Sequence, residues 1–149
     1  KFMGDGIMAI FGVETTPAEG ARRAIAAARA MGGVLDSLNQ TLHEELRIPL
    51  SMGIGIHSGP AILGRIGAAH RTEAAAGLTA LGETVNIASR LEQKTKDLAV
   101  QVAVSSYALN LSGLAANDTT VPQTVEIRGL SQPLDILVAA RATNLPQPA

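Results

Sequence analysis

Leu81-Gly-Glu-Thr-Val-Asn-Ile-Ala-Ser-Arg-Leu-Glu92 reads as a glycine break followed by the first turns of an amphipathic helix. From Thr84 to about Lys96, Val85, Ala88 and Leu91 recur at helical spacing, with Thr95 next on the same stripe. Asn86 and Arg90 are four residues apart, which puts both on one face of that helix. An amide beside a guanidinium can grip an anion, and the rigid, permanently charged fork of arginine suits that task better than lysine. The ordinary alternative for a lone Asn/Arg pair is a solvated helix face.

Upstream of this helix, Ala68 to Ala80 is alanine-rich and lacks periodicity, so a loop is expected. Ala61 to Ile66 reads as a strand, His57-Ser-Gly-Pro60 as a turn, and Leu50, Met52, Ile54 and Ile56 as an alternating strand. Together they predict a hairpin whose many glycines imply that something approaches its backbone closely. Pro49 ends a helix that starts near Pro17 and runs to about Glu45, with Ile25, Ala28, Met31, Leu35, Leu38 and Leu42 as its apolar stripe. Gly32-Gly33 inside that stripe marks a kink or a close contact. At the start, Phe2-Met3 and the run Ile7 to Phe11 flank Gly4-Asp5-Gly6, a tight hairpin with a carboxylate at its tip. Taken alone, Asp5 is an ordinary turn residue.

Downstream, Ala99 to Val104 reads as a strand, and Ser105-Ser106 caps a short helix through Leu109. Val125 to Gly129 and Leu134 to Val138 bracket a turn with Pro133, a final hairpin. Asn144 to Ala149 is expected to fray. Strands alternating with helices, plus hairpins, predict an α+β fold: a mixed sheet with helices on one face.

Composition bounds what such a fold can do. A chain of 149 residues is one domain by default and can bury a real core. Hydrophobic residues make up 46% and charged residues 17%, a globular balance. The net charge of -1 and the lack of a basic stripe exclude nucleic acid as an expected partner. Without cysteine there are no disulfides, thiolate metal sites or cysteine nucleophiles, and a reducing, cytoplasmic setting fits. Aromatics at 2% leave the core to aliphatics and alanine and provide no base-stacking platform. No apolar run is long enough to span a membrane.

Lys1-Phe-Met-Gly-Asp-Gly-Ile-Met-Ala-Ile-Phe-Gly12, Gly53-Ile-Gly-Ile-His-Ser-Gly-Pro60 and Leu81 to Glu92 occur in the order of the class III nucleotide cyclase catalytic domain, and the chain resembles that family. The Arg128-Gly-Leu turn is similar too, so the resemblance spans nearly the whole chain, with residues 1–142 as the domain and 143–149 as a flexible tail. It implies a ferredoxin-like sheet and a reaction in which the ribose 3′-oxygen attacks the α-phosphorus of a nucleoside triphosphate as pyrophosphate departs. It also implies two divalent metal ions, Mg²⁺ or Mn²⁺, with Asp5 as the second metal-binding aspartate. Asn86 would orient the ribose and Arg90 would stabilise charge at the α-phosphate. Lys1 matches the purine-selecting lysine and Thr79 its partner on the adenine amino group, as in the threonine-type subgroup; the pair points to ATP. Arg128 is a candidate for the triphosphate. His57 lies in the strand-turn signature and has no regular catalytic role in the family, so a structural histidine is expected.

In this family the metal aspartates and the purine, Asn and Arg residues of one site come from opposite subunits. A head-to-tail homodimer with two sites follows from the resemblance. The first metal-binding aspartate would lie on a strand upstream of Lys1; the chain reads as a fragment lacking its first strand-helix segment, inactive by itself, from a larger protein with regulatory domains. The leading expectation is an adenylate cyclase. The rivals are a non-catalytic cyclase-like module that binds nucleotide or only dimerises, a guanylate cyclase, and a ferredoxin-like domain with accidental motifs.

Overall fold

The structure is a computed structural model that describes residues 1–65 and 78–148. Strands β1 (Phe2–Met3) and β2 (Gly6–Ile7) pair antiparallel, Phe2 opposite Ile7, with Gly4 at φ +63° in the tight turn. Helix α1 (Pro17–Thr41) follows. Thr16 caps it, its hydroxyl accepting from the Glu19 N–H at 3.2 Å, and proline takes the start, where its missing N–H costs nothing. The next elements are β3 (Ile54–Ile56), β4 (Ile62–Arg65), β5 (Leu78–Leu81), α2 (Glu83–Asp97) and β6 (Val102–Ser105). Then come α3 (Ser106–Ser112), β7 (Val121–Val125), β8 (Leu134–Ala139) and a 3₁₀ turn over Ala142–Asn144.

The central sheet has the order β3-β6-β8-β7; β3 runs parallel to β6 and the other pairs are antiparallel. The mixed α+β architecture expected from the sequence is therefore present, but its helices lie on both faces. Val102, Val104, Leu137 and Ala139 point to one face, where Ile25 and Ala28 of α1 and Ala108 and Leu109 of α3 cover them. Ala103, Ile136 and Val138 point to the other, against Ile87 and Leu91 of α2. The physical reason is legible in retrospect. A strand covered on one side alternates apolar and polar, whereas Val102-Ala-Val and Ile136-Leu-Val-Ala139 are continuously apolar and need cover on both sides.

Several expected pairings are corrected. The hairpin from Leu50–Ile56 to Ala61–Ile66 does not form: β3 is shorter and pairs with β6, while β4 pairs antiparallel with β5, Gly64 opposite Thr79. Residues 78–80, expected as the end of a loop, are thus strand, and the remainder of that expected loop up to residue 77 lies outside the described residues. The strand before the last turn is Val121–Val125, not Val125–Gly129, so Arg128 sits in the β7–β8 turn.

Helix α1 stops at Thr41, short of Glu45, and beyond Ala28 its stripe loses cover, leaving Met31 and Leu38 exposed. Gly32 marks close packing, since a Cβ there would lie 2.9 Å from the Cβ of Ala142. The expected tail is not frayed before Gln147. Ala142 and Leu145 are buried in the α1-side core, and the Arg29 guanidinium donates to the carbonyl oxygens of Thr143 and Leu145.

Candidate functional site

Three glycines seat α2. Gly53 and Gly55 stand on the face of the strand opposite Ile54 and Ile56, and Gly59 follows in the turn. A Cβ on Gly55 would lie 2.1 Å from the Ala88 carbonyl oxygen and 2.3 Å from the Glu92 nitrogen. One on Gly53 would meet the Thr95 hydroxyl at 2.3 Å, and one on Gly59 the Thr84 hydroxyl at 2.6 Å. The helix backbone therefore rests directly on the strand, which is the close approach expected from the glycine-rich sequence. Thr84 adds a bond from its hydroxyl to the Pro60 carbonyl at 2.6 Å. Ile87, Leu91 and Thr95 bury the inner face of α2; Val85 and Ala88 are only half-buried, so the inner stripe is offset from the expected one.

This seat fixes where Asn86 and Arg90 emerge. Asn86 is exposed and Arg90 half-buried. The Arg90 guanidinium donates through Nη1 to the Arg128 carbonyl in the β7–β8 turn, while the Arg128 side chain is exposed. Thr79, buried on β5 just ahead of α2, lies with its hydroxyl 3.4 Å from Lys1 Nζ. Two residues 78 apart in sequence thus meet between the β1–β2 and β4–β5 ribbons. Asp5 stands exposed at the tip of the first hairpin.

His57 Nδ1 lies 2.8 Å from the hydroxyl of Ser105, which also accepts from the Ala108 N–H as the cap of α3. Burial pushes the His57 imidazole below its ordinary value, and the Glu83 carboxylate partly opposes that. These contacts tie β3 to the start of α3 and give His57 a structural place, as expected.

Residues 1–136 match the family described as the adenylate and guanylate cyclase catalytic domain. The chain belongs to that family. The cyclase domain is 30% identical over 139 residues to a terminal-differentiation-specific adenylate cyclase of Dictyostelium discoideum, covering 91% of this chain and 6% of that protein. It is similar to the solved structure of a guanylyl cyclase at a TM-score of 0.77 and 32% identity, covering 94% of this chain and 68% of that one. An adenylyl cyclase from P. aeruginosa is similar at a TM-score of 0.73 and 26% identity, with 93% and 69% covered. Among the described residues, no helix of the cyclase domain is long and apolar enough to cross a membrane.

The described residues of the cyclase domain do not by themselves fit a pair of divalent ions. Such ions take several oxygen ligands each. Among the described residues no group of three or more His, Asp or Glu side chains could hold a metal, and Asp5 is a single carboxylate. The residue that sequence reasoning missed is Gly129, which admits the Arg128 carbonyl to Arg90. Its signal was present: glycine at the third position of Ile127-Arg-Gly-Leu130 is the mark of a type II turn.

Proposed function

We propose that this domain, in its parent protein, is a cytoplasmic adenylate cyclase that converts ATP to 3′,5′-cyclic AMP and pyrophosphate. The 3′-oxygen of the ribose bonds to the α-phosphorus, the bond from that phosphorus to the bridging β-phosphate oxygen breaks, and the 3′-hydroxyl proton is released. The observation that supports the adenine reading is the contact between Lys1 Nζ and the Thr79 hydroxyl. An ammonium donates and a hydroxyl accepts. Together they fit an adenine edge, which offers a ring-nitrogen acceptor beside an amino donor. Guanine reverses that order, and a carbonyl would meet the hydroxyl only if Thr79 turned its proton outward.

In this reading Asn86 orients the ribose, Arg90 stabilises negative charge as it builds at the α-phosphate, and the Arg128 side chain meets the triphosphate. Asp5 is one carboxylate of a two-ion site at a head-to-tail homodimer interface. Among the described residues no group of three or more His, Asp or Glu side chains completes that site around Asp5.

The test is cyclic nucleotide production by the full-length protein in Mn²⁺, with ATP and GTP side by side and Asp5→Ala as control. Cyclic AMP from ATP, lost in the control, is the expected result. Preferential turnover of GTP would support the guanylate cyclase reading, which the 32% identity to a guanylyl cyclase structure keeps as the second choice. A folded full-length dimer without turnover of either would overturn both in favour of a non-catalytic module.

A further inference from the structure

The β7–β8 turn does more than reverse the chain. Leu130 N–H bonds to the Ile127 carbonyl at 3.0 Å, closing a four-residue turn, and Gly129 at its third position has φ +89°. With φ negative at Arg128, those features fit a type II turn and not its mirror-image relatives. Types I and II differ by a flip of the central peptide, so the residue at the third position decides which way that peptide's carbonyl points. Here the central carbonyl is that of Arg128, and it accepts from Arg90 Nη1. Ile127 and Leu130, on either side, pack into the same core as α2, so the turn and the helix that carries Arg90 share one foundation.

Gly129 also sets the space available. A Cβ there would lie 2.9 Å from Arg90 Nη1, the movable end of a long side chain. An added methyl would displace the guanidinium rather than the backbone. Arg90 has five N–H donors and an always-positive charge. Among the described residues it forms no ion pair, and its side chain makes no hydrogen bond other than the one to Arg128.

We propose that Gly129 is a positioning residue: it holds the β7–β8 turn in the type II form that aims the Arg128 carbonyl at Arg90, and so pre-orients the guanidinium for a phosphate group. This rests on the cyclase reading for its chemistry but not for its geometry. Pre-orientation acts on the step in which charge develops, so its loss appears in kcat more than in KM.

The test uses the full-length protein with Gly129→Ala and Gly129→Asn, alone and combined with Arg90→Ala. Alanine disfavours the type II turn and adds the methyl; asparagine tolerates the turn but still adds a Cβ. The expected kcat loss is about 10-fold to 100-fold for alanine and smaller for asparagine, with KM for ATP changed less than about 3-fold. In the Arg90→Ala background, Gly129→Ala should cost nothing further. Unchanged kcat in Gly129→Ala, or an equal loss with and without Arg90, overturns the proposal.

Nitrogen-15 signals of the Arg90 side chain give a second readout independent of turnover. They should shift and broaden in Gly129→Ala, and constancy there overturns the positioning role. If the protein makes no cyclic nucleotide, the functional reading fails while these signals still decide the role of Gly129.

Discussion

Lys1 and Thr79 show what a single contact adds to a motif. Each is an ordinary residue in sequence, and their meeting at 3.4 Å depends on β5 bringing Thr79 to the first hairpin. His57 shows the opposite case, a residue whose type invites catalysis and whose surroundings explain it as structure. Its imidazole is held against Ser105 and titrates below its ordinary value of 6.5 because burial disfavours the charged form. In the window between that lowered value and about 6.5 the unfolded chain binds more protons than the folded one, so stability rises with pH there and levels off above it. Denaturant unfolding across a pH series should show this slope, and His57→Gln should reduce it. An identical slope in the variant would show that His57 is not its source.

At the level of elements, α2 is placed by what the strand beneath it lacks. Gly55→Ala would set a methyl against the Ala88 carbonyl and the Glu92 nitrogen, both helix backbone that cannot rotate away. The expected cost is about 1–3 kcal/mol or more in denaturant unfolding. Gly33→Ala is the matching control, since a Cβ there meets nothing within 4 Å, and it should stabilise α1 by about 0.5–1 kcal/mol. Equal effects at the two positions would refute the seat. The helices were legible because a 3.6-residue period survives in one sequence: α1 and α2 lie close to their expected spans. Strand partners were not, because pairing is chosen between segments far apart. Nothing local in Ile54-Gly-Ile56 says that it pairs with Val102 to Val104 rather than with the strand that follows it.

For the whole molecule, the decisive proposal is that one site draws on two copies of the chain. Full-length Asp5→Ala and Arg90→Ala should each keep only a small residual turnover alone. Mixed in equal amounts with subunit exchange they should recover about a quarter of wild-type turnover, since half of the dimers are mixed and each carries one intact site. No recovery from a demonstrably mixed dimer would sink the shared site. Within one copy, the last segment is part of the body. Leu145 is 1% exposed and Arg29 holds the carbonyls beside it. Its sequence is short, with two prolines, and its burial depends on the groove that Gly32 opens in α1.

The quoted motifs carried the resemblance to the family, and local period carried the helix with Asn86 and Arg90, the hairpin tip with Asp5 and the mixed α+β class. Only the tertiary structure decided that helices cover both faces of the sheet, that Thr79 sits on a strand beside Lys1, and that the Arg128 backbone grips Arg90. Those features depend on which distant segments share a core, and packing chooses among partners that local sequence leaves equivalent.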